Sequence, residues 1–195
     1  MILALTRDLN DQQRKIISRL RRQKQVSYDQ ITGLFQDIQS DWHRTNPNAN
    51  SIDWNNGTTT INNQDVPGKL LPLQFSTTVV DAITGEHQVH VSLGVREAGT
   101  RVGIHVHESG GMTFVLDGGG AITDFVEGFE DTFNPEGNYY YMPSDIPMSA
   151  ANFSKDPVLL MDIFVTPIGG PPITILEPGY PGFVDQPART SWWPA

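Results

Sequence analysis

Apolar residues recur at helical spacing near the start of the chain and at every second position later on. Asn10 can cap a helix with Gln13 three residues on, and Ile16, Ile17 and Leu20 form a short apolar stripe. Ser27-Tyr-Asp-Gln30 has capping-box spacing, with Val26 and Ile31 placed as a hydrophobic staple. Ile31, Leu34, Phe35, Ile38 and Trp42 then recur on one helical face. Such a helix cannot bury its stripe alone, so it must dock on the rest of the chain or on a second copy. From about Leu70 the period becomes two: Val89, Val91, Leu93 and Val95 alternate with His90, Ser92, Gly94 and Arg96. Strand-like runs follow at 102–107, 112–117, 121–126, 139–142, 158–165 and 173–176, split by Gly/Pro turns. This pattern predicts an antiparallel sandwich or barrel.

Between these regions, residues 44–69 are dense in Asn, Pro and Gly and read as a linker. The predicted organisation is therefore a two-helix arm over 1–43, a linker over 44–69, a β-domain over 70–180, and an extended tail over 181–195. That tail carries the indoles Trp192 and Trp193.

Charge divides the chain in the same places. Residues 1–24 hold seven Lys/Arg against two Asp, whereas the remainder holds six Lys/Arg against twenty Asp/Glu, for a net charge of −9. An acidic β-domain is a poor partner for nucleic acid. The basic arm suits an acidic surface such as the domain of a neighbouring subunit, and with the exposed stripe this predicts a homodimer. No apolar run is long enough to span a membrane, and the N-terminus lacks signal-peptide character, so a soluble protein is expected, its compartment left open between retained and exported. The chain has no cysteine. Disulfides, thiolate nucleophiles and Cys-ligated metals are thereby excluded.

His105 and His107 lie two apart in a strand-like run, so their imidazoles project to one face and can form half of a transition-metal site. Their surroundings resemble the first cupin motif: Gly99, five residues, His105-x-His107, and a closing Gly118 or Gly119. Gly137, Pro143 and Asn152 match the second motif at the correct offsets, after a gap of seventeen residues. The resemblance implies a mainly β fold, a cupin jelly-roll β-barrel open at one end as a ligand pocket. It also implies a metal or small-molecule role, of oxygenase, isomerase or lyase type if catalytic.

Departures from the motifs fall on the metal ligands. Gly111 or Met112 stands where the family has its Glu, Met148 where it has its last His, and Asp145 where the second motif has a Gly. Three readings follow. One transition-metal ion (copper, iron, nickel or zinc) is held by His105, His107 and a substitute such as Glu108; or a soft His105, His107, Met112, Met148 set suits copper; or no metal binds and the pocket takes an organic ligand. The last two are the non-catalytic alternative. His90, Arg96 and Phe114 are expected to line the pocket. Tyr139 and Tyr141 share a face and are the candidate acid or orienting pair if that face is the interior.

Overall fold

The computed structural model describes residues 28–47, 54 and 56–180. The first expected helix and the Trp192-Trp193 tail lie outside the described residues. The second expected helix is present as α1 (Tyr28–Thr45), with His43 and Arg44 in its last turn, where cations suit the helix dipole. Its end is closed locally: the Asn46 backbone N–H and side-chain amide both donate to the Trp42 carbonyl, and the Thr45 hydroxyl donates to that of Asp41.

The strands, in chain order, are β1 (Thr60–Ile61), β2 (Gln64–Asp65), β3 (Lys69–Leu70), β4 (Gln74–Thr84), β5 (His87–Arg96), β6 (Thr100–Arg101) and β7 (His105–Val106). After them come β8 (Gly111–Asp117), β9 (Ala121–Val126), β10 (Thr132–Pro135), β11 (Tyr139–Met142), β12 (Met148–Asn152), β13 (Val158–Pro167) and β14 (Thr174–Ile175). One large sheet runs β11-β8-β13-β5-β4. The other runs β10-β9-β12-β6-β3, with β7 joining β12 and β14. All of these pairings are antiparallel except β3 with β6. The expected barrel is thus two sheets facing each other rather than one closed ring of hydrogen-bonded strands among the described residues.

Part of the expected linker is structured. Asn62 and Asn63 both take left-handed backbone angles (φ 52° and 60°), the conformation a two-residue hairpin turn demands, and they join β1 to β2. Asn62 is pinned further: its backbone N–H donates to the Glu127 carboxylate, and its side-chain amide to the Phe129 carbonyl.

Three apolar clusters build the core. The first lies between the sheets and includes Val115, Ile122, Met142, Met148, Leu160 and Phe164. A second, on the outer side of the β6–β7–β12 region, joins Ile104, Val106 and Leu176 to Ile61 of the small hairpin and to Val66 just after it. The third lies on the outer face of the other sheet, where Val89, Val91, Met112 and Val165 meet Phe35 and Ile38 of α1. The helix stripe is therefore largely used within the chain: Phe35 is buried, Trp42 packs on Phe129 and Tyr141, and Leu34 stays 61% exposed.

Candidate functional site

The face of the β11-β8-β13-β5-β4 sheet away from α1 and the inner side of β6, β7 and β12 enclose a cavity of about 140 Å³. His105 and His107 line it together, as their spacing predicts. Their orientation is fixed from behind. His105 Nδ1 lies 2.7 Å from the Gly103 carbonyl oxygen and His107 Nδ1 lies 2.6 Å from that of Pro172. A carbonyl oxygen only accepts, so each Nδ1 carries the proton and each Nε2 offers a lone pair. The two Nε2 atoms face each other at 3.0 Å. Burial depresses both imidazoles' basicity, His107 to about 4 and His105 well below its ordinary value, where the neighbouring His107 lowers it further. The His107 ring also lies against Phe164, with centroids 5.0 Å apart.

Opposed lone pairs at that distance repel unless a cation is shared between them. Protonation is disfavoured, so the arrangement fits a metal ion. Two imidazole nitrogens, each about 2.1 Å from one ion, come to about 3 Å apart when they subtend a right angle at it and to about 3.4 Å at a tetrahedral angle. Donation of the other ring N–H to a carbonyl is the usual support of a metal-binding histidine.

The other expected ligands separate. Met148 is fully buried, pairs with His105 across β12 and β7, and lines the cavity. Met112 does not join it. Strand alternation in β8 turns Thr113 inward and sends Met112 to the outer cluster under α1, so the four-ligand soft set is not assembled. Met142 is the second methionine in the cavity, its sulfur 3.4 Å from Thr113 Oγ1. Glu108 is exposed and accepts a hydrogen bond from Thr174 instead of entering the cavity. Asp145, at the glycine position of the second motif, keeps the left-handed backbone (φ 56°) that a glycine would supply.

Arg96 lines the cavity as expected, whereas His90 and Phe114 do not. His90 sits 3.3 Å from Asp81 and 3.4 Å from the Thr166 hydroxyl. Phe114 packs with Tyr139 outside, centroids 5.6 Å apart. The expected tyrosine pair faces the wrong way for the interior. Tyr139 is 56% exposed, Tyr141 packs against Phe35 and Trp42, and the residue between them, Tyr140, lines the cavity.

Residues not anticipated complete the lining: Thr113, Tyr140, Asp162 and Tyr180. Thr113 Oγ1 donates to the Asp162 carboxylate at 2.6 Å. Burial raises the Asp162 carboxyl to about 6, against the lowering effects of that hydrogen bond and of Arg96. One signal for Asp162 lies in the sequence: it is the only acid in the apolar run from Val158 to Val165. Tyr180 is brought in by the segment that follows β14. There Glu177 meets Arg101 with both oxygens, at 2.6 and 2.7 Å, and also accepts from the Ile104 backbone N–H.

No family model matches the sequence, and no curated protein does. Solved structures similar to the chain include a DMSP lyase from Ruegeria pomeroyi (16% identity, TM-score 0.43, covering 56% of this chain and 53% of that one). A cupin-like protein from Thermotoga maritima is 20% identical, with TM-score 0.42 over 52% of this chain and 74% of that one. An RmlC-like cupin family protein with a double-stranded β-helix fold, from Methanocaldococcus jannaschii, is 20% identical, with TM-score 0.39 over 54% and 92%. The chain spans 40% of a further chain from a study of DMSP lyases. Several of these structures are described as cupins or double-stranded β-helix proteins, the architecture that the two motifs imply.

Proposed function

We propose that this chain is a cupin-type protein that holds one transition-metal ion between His105 and His107 and takes a small molecule in the adjoining cavity. The observation that carries this reading is the convergence of two unprotonated Nε2 atoms at 3.0 Å, each ring locked by a carbonyl behind it. Two imidazoles with the Met148 thioether beside them favour copper, nickel or zinc over the harder manganese and magnesium. When bound, the ion would supply Lewis acidity to an oxygen of the ligand. The chain's own residues do the rest. Phe164 and Met148 exclude water around the histidines, and Asp162, with its carboxyl near 6, can accept or release a proton at its unbonded oxygen close to neutral pH.

The test is elemental analysis of protein prepared without chelator or metal-affinity resin. About one ion per chain is expected, falling to none in a His105→Ala, His107→Ala double variant that still unfolds cooperatively. Full metal content in the double variant, or no uptake by wild type from copper, nickel, zinc or iron, would defeat the reading. A second reading, a metal-free binding protein, is favoured by one observation. Among the described residues, no cluster of three or more His, Asp or Glu side chains can hold a metal. Uptake of an organic ligand by metal-free protein, with no metal bound under any loading, would establish it.

A further inference from the structure

The chain buries two arginines close together in sequence, and their circumstances differ. Arg101 is neutralised by Glu177, which takes two of its N–H groups in a fork. Arg96, only 3% exposed, has no carboxylate in ion-pair contact among the described residues. Its Nη1 donates to the Leu71 carbonyl, its guanidinium bonds the Tyr180 hydroxyl, and its Nε is buried with no hydrogen-bond partner. A guanidinium stays charged at any ordinary pH, and burying such a charge with no ion-pair contact is costly. Asp162, the acid whose charge acts on Arg96, makes its own hydrogen bond to Thr113 instead.

The space in front of Arg96 is the cavity. Beyond the arginine much of the wall is apolar, from Val102, Met142, Met148, Ala150 and Leu160. At about 140 Å³ it matches a cavity of about 150 Å³ that accepts benzene, which is about six heavy atoms. The buried guanidinium with the Tyr180 phenol beside it and an apolar stretch of wall of that size suit a short-chain monoacid.

We infer that the cavity binds a small monocarboxylate of about four or five carbons, its carboxylate held by Arg96 and Tyr180 and its chain directed towards His105 and His107. This rests on the reading of the cavity as the ligand site, and it does not require the metal. The planar fork of the guanidinium fits a carboxylate's two oxygens, no second Arg or Lys lines the cavity, and the Asp162 carboxyl on its wall repels further negative charge, so monoacids should be preferred to diacids.

The experiment is thermal denaturation and calorimetric titration of the metal-stripped full chain with butanoate, butanamide and butane-1,4-dioate. Butanoate should raise the melting temperature saturably. Butanamide, of the same shape and uncharged, and the dicarboxylate should bind about tenfold more weakly or worse. Arg96→Gln should abolish butanoate binding, and Tyr180→Phe should weaken it by about fivefold or more. Should Arg96→Gln fail to fold, the contrast between acid and amide on wild type and the Tyr180→Phe titration decide alone. Equal binding of butanoate and butanamide, or wild-type affinity in a folded Arg96→Gln protein, would overturn the assignment. The His105→Ala, His107→Ala variant separates this from the metal. Retained butanoate binding there supports Arg96 as the anchor even if no metal is ever found, and loss there alone would place the carboxylate at the histidines and overturn it.

Discussion

The two faces of the β11-β8-β13-β5-β4 sheet are both buried, yet they are built from different residues. The outer face, under α1, is Val89, Val91, Met112, Val165 and Ile163, closed by Phe35 and Ile38. The inner face carries Arg96, Thr113, Tyr140 and Asp162 among its apolar residues. A sheet buried for stability alone would be apolar on both sides, because each buried polar group must find a partner or cost free energy. The inner face accepts that cost, so its polar residues mark where the proposed ligand would sit, and the cleaner apolar alternation marks where the helix is fastened.

That contrast can be broken most strongly from the outside. Phe35→Ala removes the helix residue most deeply buried in the outer cluster and should cost about 3–5 kcal/mol. In a urea titration this is a lower midpoint with an unchanged slope, while metal content per folded chain stays at the wild-type value. A midpoint shift under about 1 kcal/mol would show that the helix is not fastened there.

Gly103→Ala acts from the inside. A Cβ at Gly103 would sit 2.6 Å from Tyr180 Cγ and 2.8 Å from Tyr180 Cβ, so that side chain must move. The expected cost is about 1–3 kcal/mol of stability, together with weaker carboxylate binding measured by calorimetry. Unaltered affinity would remove Tyr180 from the site.

Smaller again is the pair Met112→Leu and Met148→Leu, each near in volume and each expected to cost under about 1.5 kcal/mol. Only Met148→Leu should alter affinity for Cu(I) in a chelator competition, because only Met148 lines the cavity. Equal effects from both would erase the distinction between the faces.

The fourth effect is a slope with pH rather than a fixed loss. The Asp162 carboxyl is raised from 3.8 to about 6, so the folded state holds its proton more tightly than the unfolded chain does. Its contribution is fully present below pH 4 and is lost as pH rises towards 6. Asp162→Asn does not titrate, so the melting temperature of the variant minus that of wild type should climb between pH 4 and 6 and level off above. A flat difference would mean that the carboxyl is not desolvated.

Much of this was legible in the chain. His105 and His107 followed from a two-residue spacing in a strand, the helix from the stripe Phe35, Ile38 and Trp42, and the fold class from alternation and two motifs. What spacing could not say is which side of a strand is inside. Tyr139 and Tyr141 were grouped correctly by parity, but the cavity lies on the side of Tyr140. Parity also breaks at Gly103, between β6 and β7, so Val102 lines the cavity with the histidines although Ile104 and Val106 face the outer cluster. β12, Met-Ser-Ala-Ala-Asn, carries no β-branched or aromatic residue and gave no strand signal; its pairing with β9, β6 and β7 makes it one. The β1–β2 hairpin was hidden because the turn residues of a tight hairpin have the composition of a linker.

The segment from Pro172 to Tyr180 touches nearly every part of the site. Its Pro172 carbonyl orients His107, β14 pairs with His105 and Val106, Glu177 holds Arg101 and the Ile104 amide, and Tyr180 reaches Arg96. If this strip detached as one cooperative unit while the two sheets stayed folded, the histidine tautomers, the buried arginine and the cavity wall would be lost in a single step. The free energy of that opening then sets a ceiling on how well the empty protein keeps its site organised. Anything bound inside must add its own binding free energy to the opening. Amide hydrogens of residues 174–177 should therefore exchange more slowly in proportion to ligand concentration while those of β9 do not respond, which makes this strip the molecule's own gauge of occupancy.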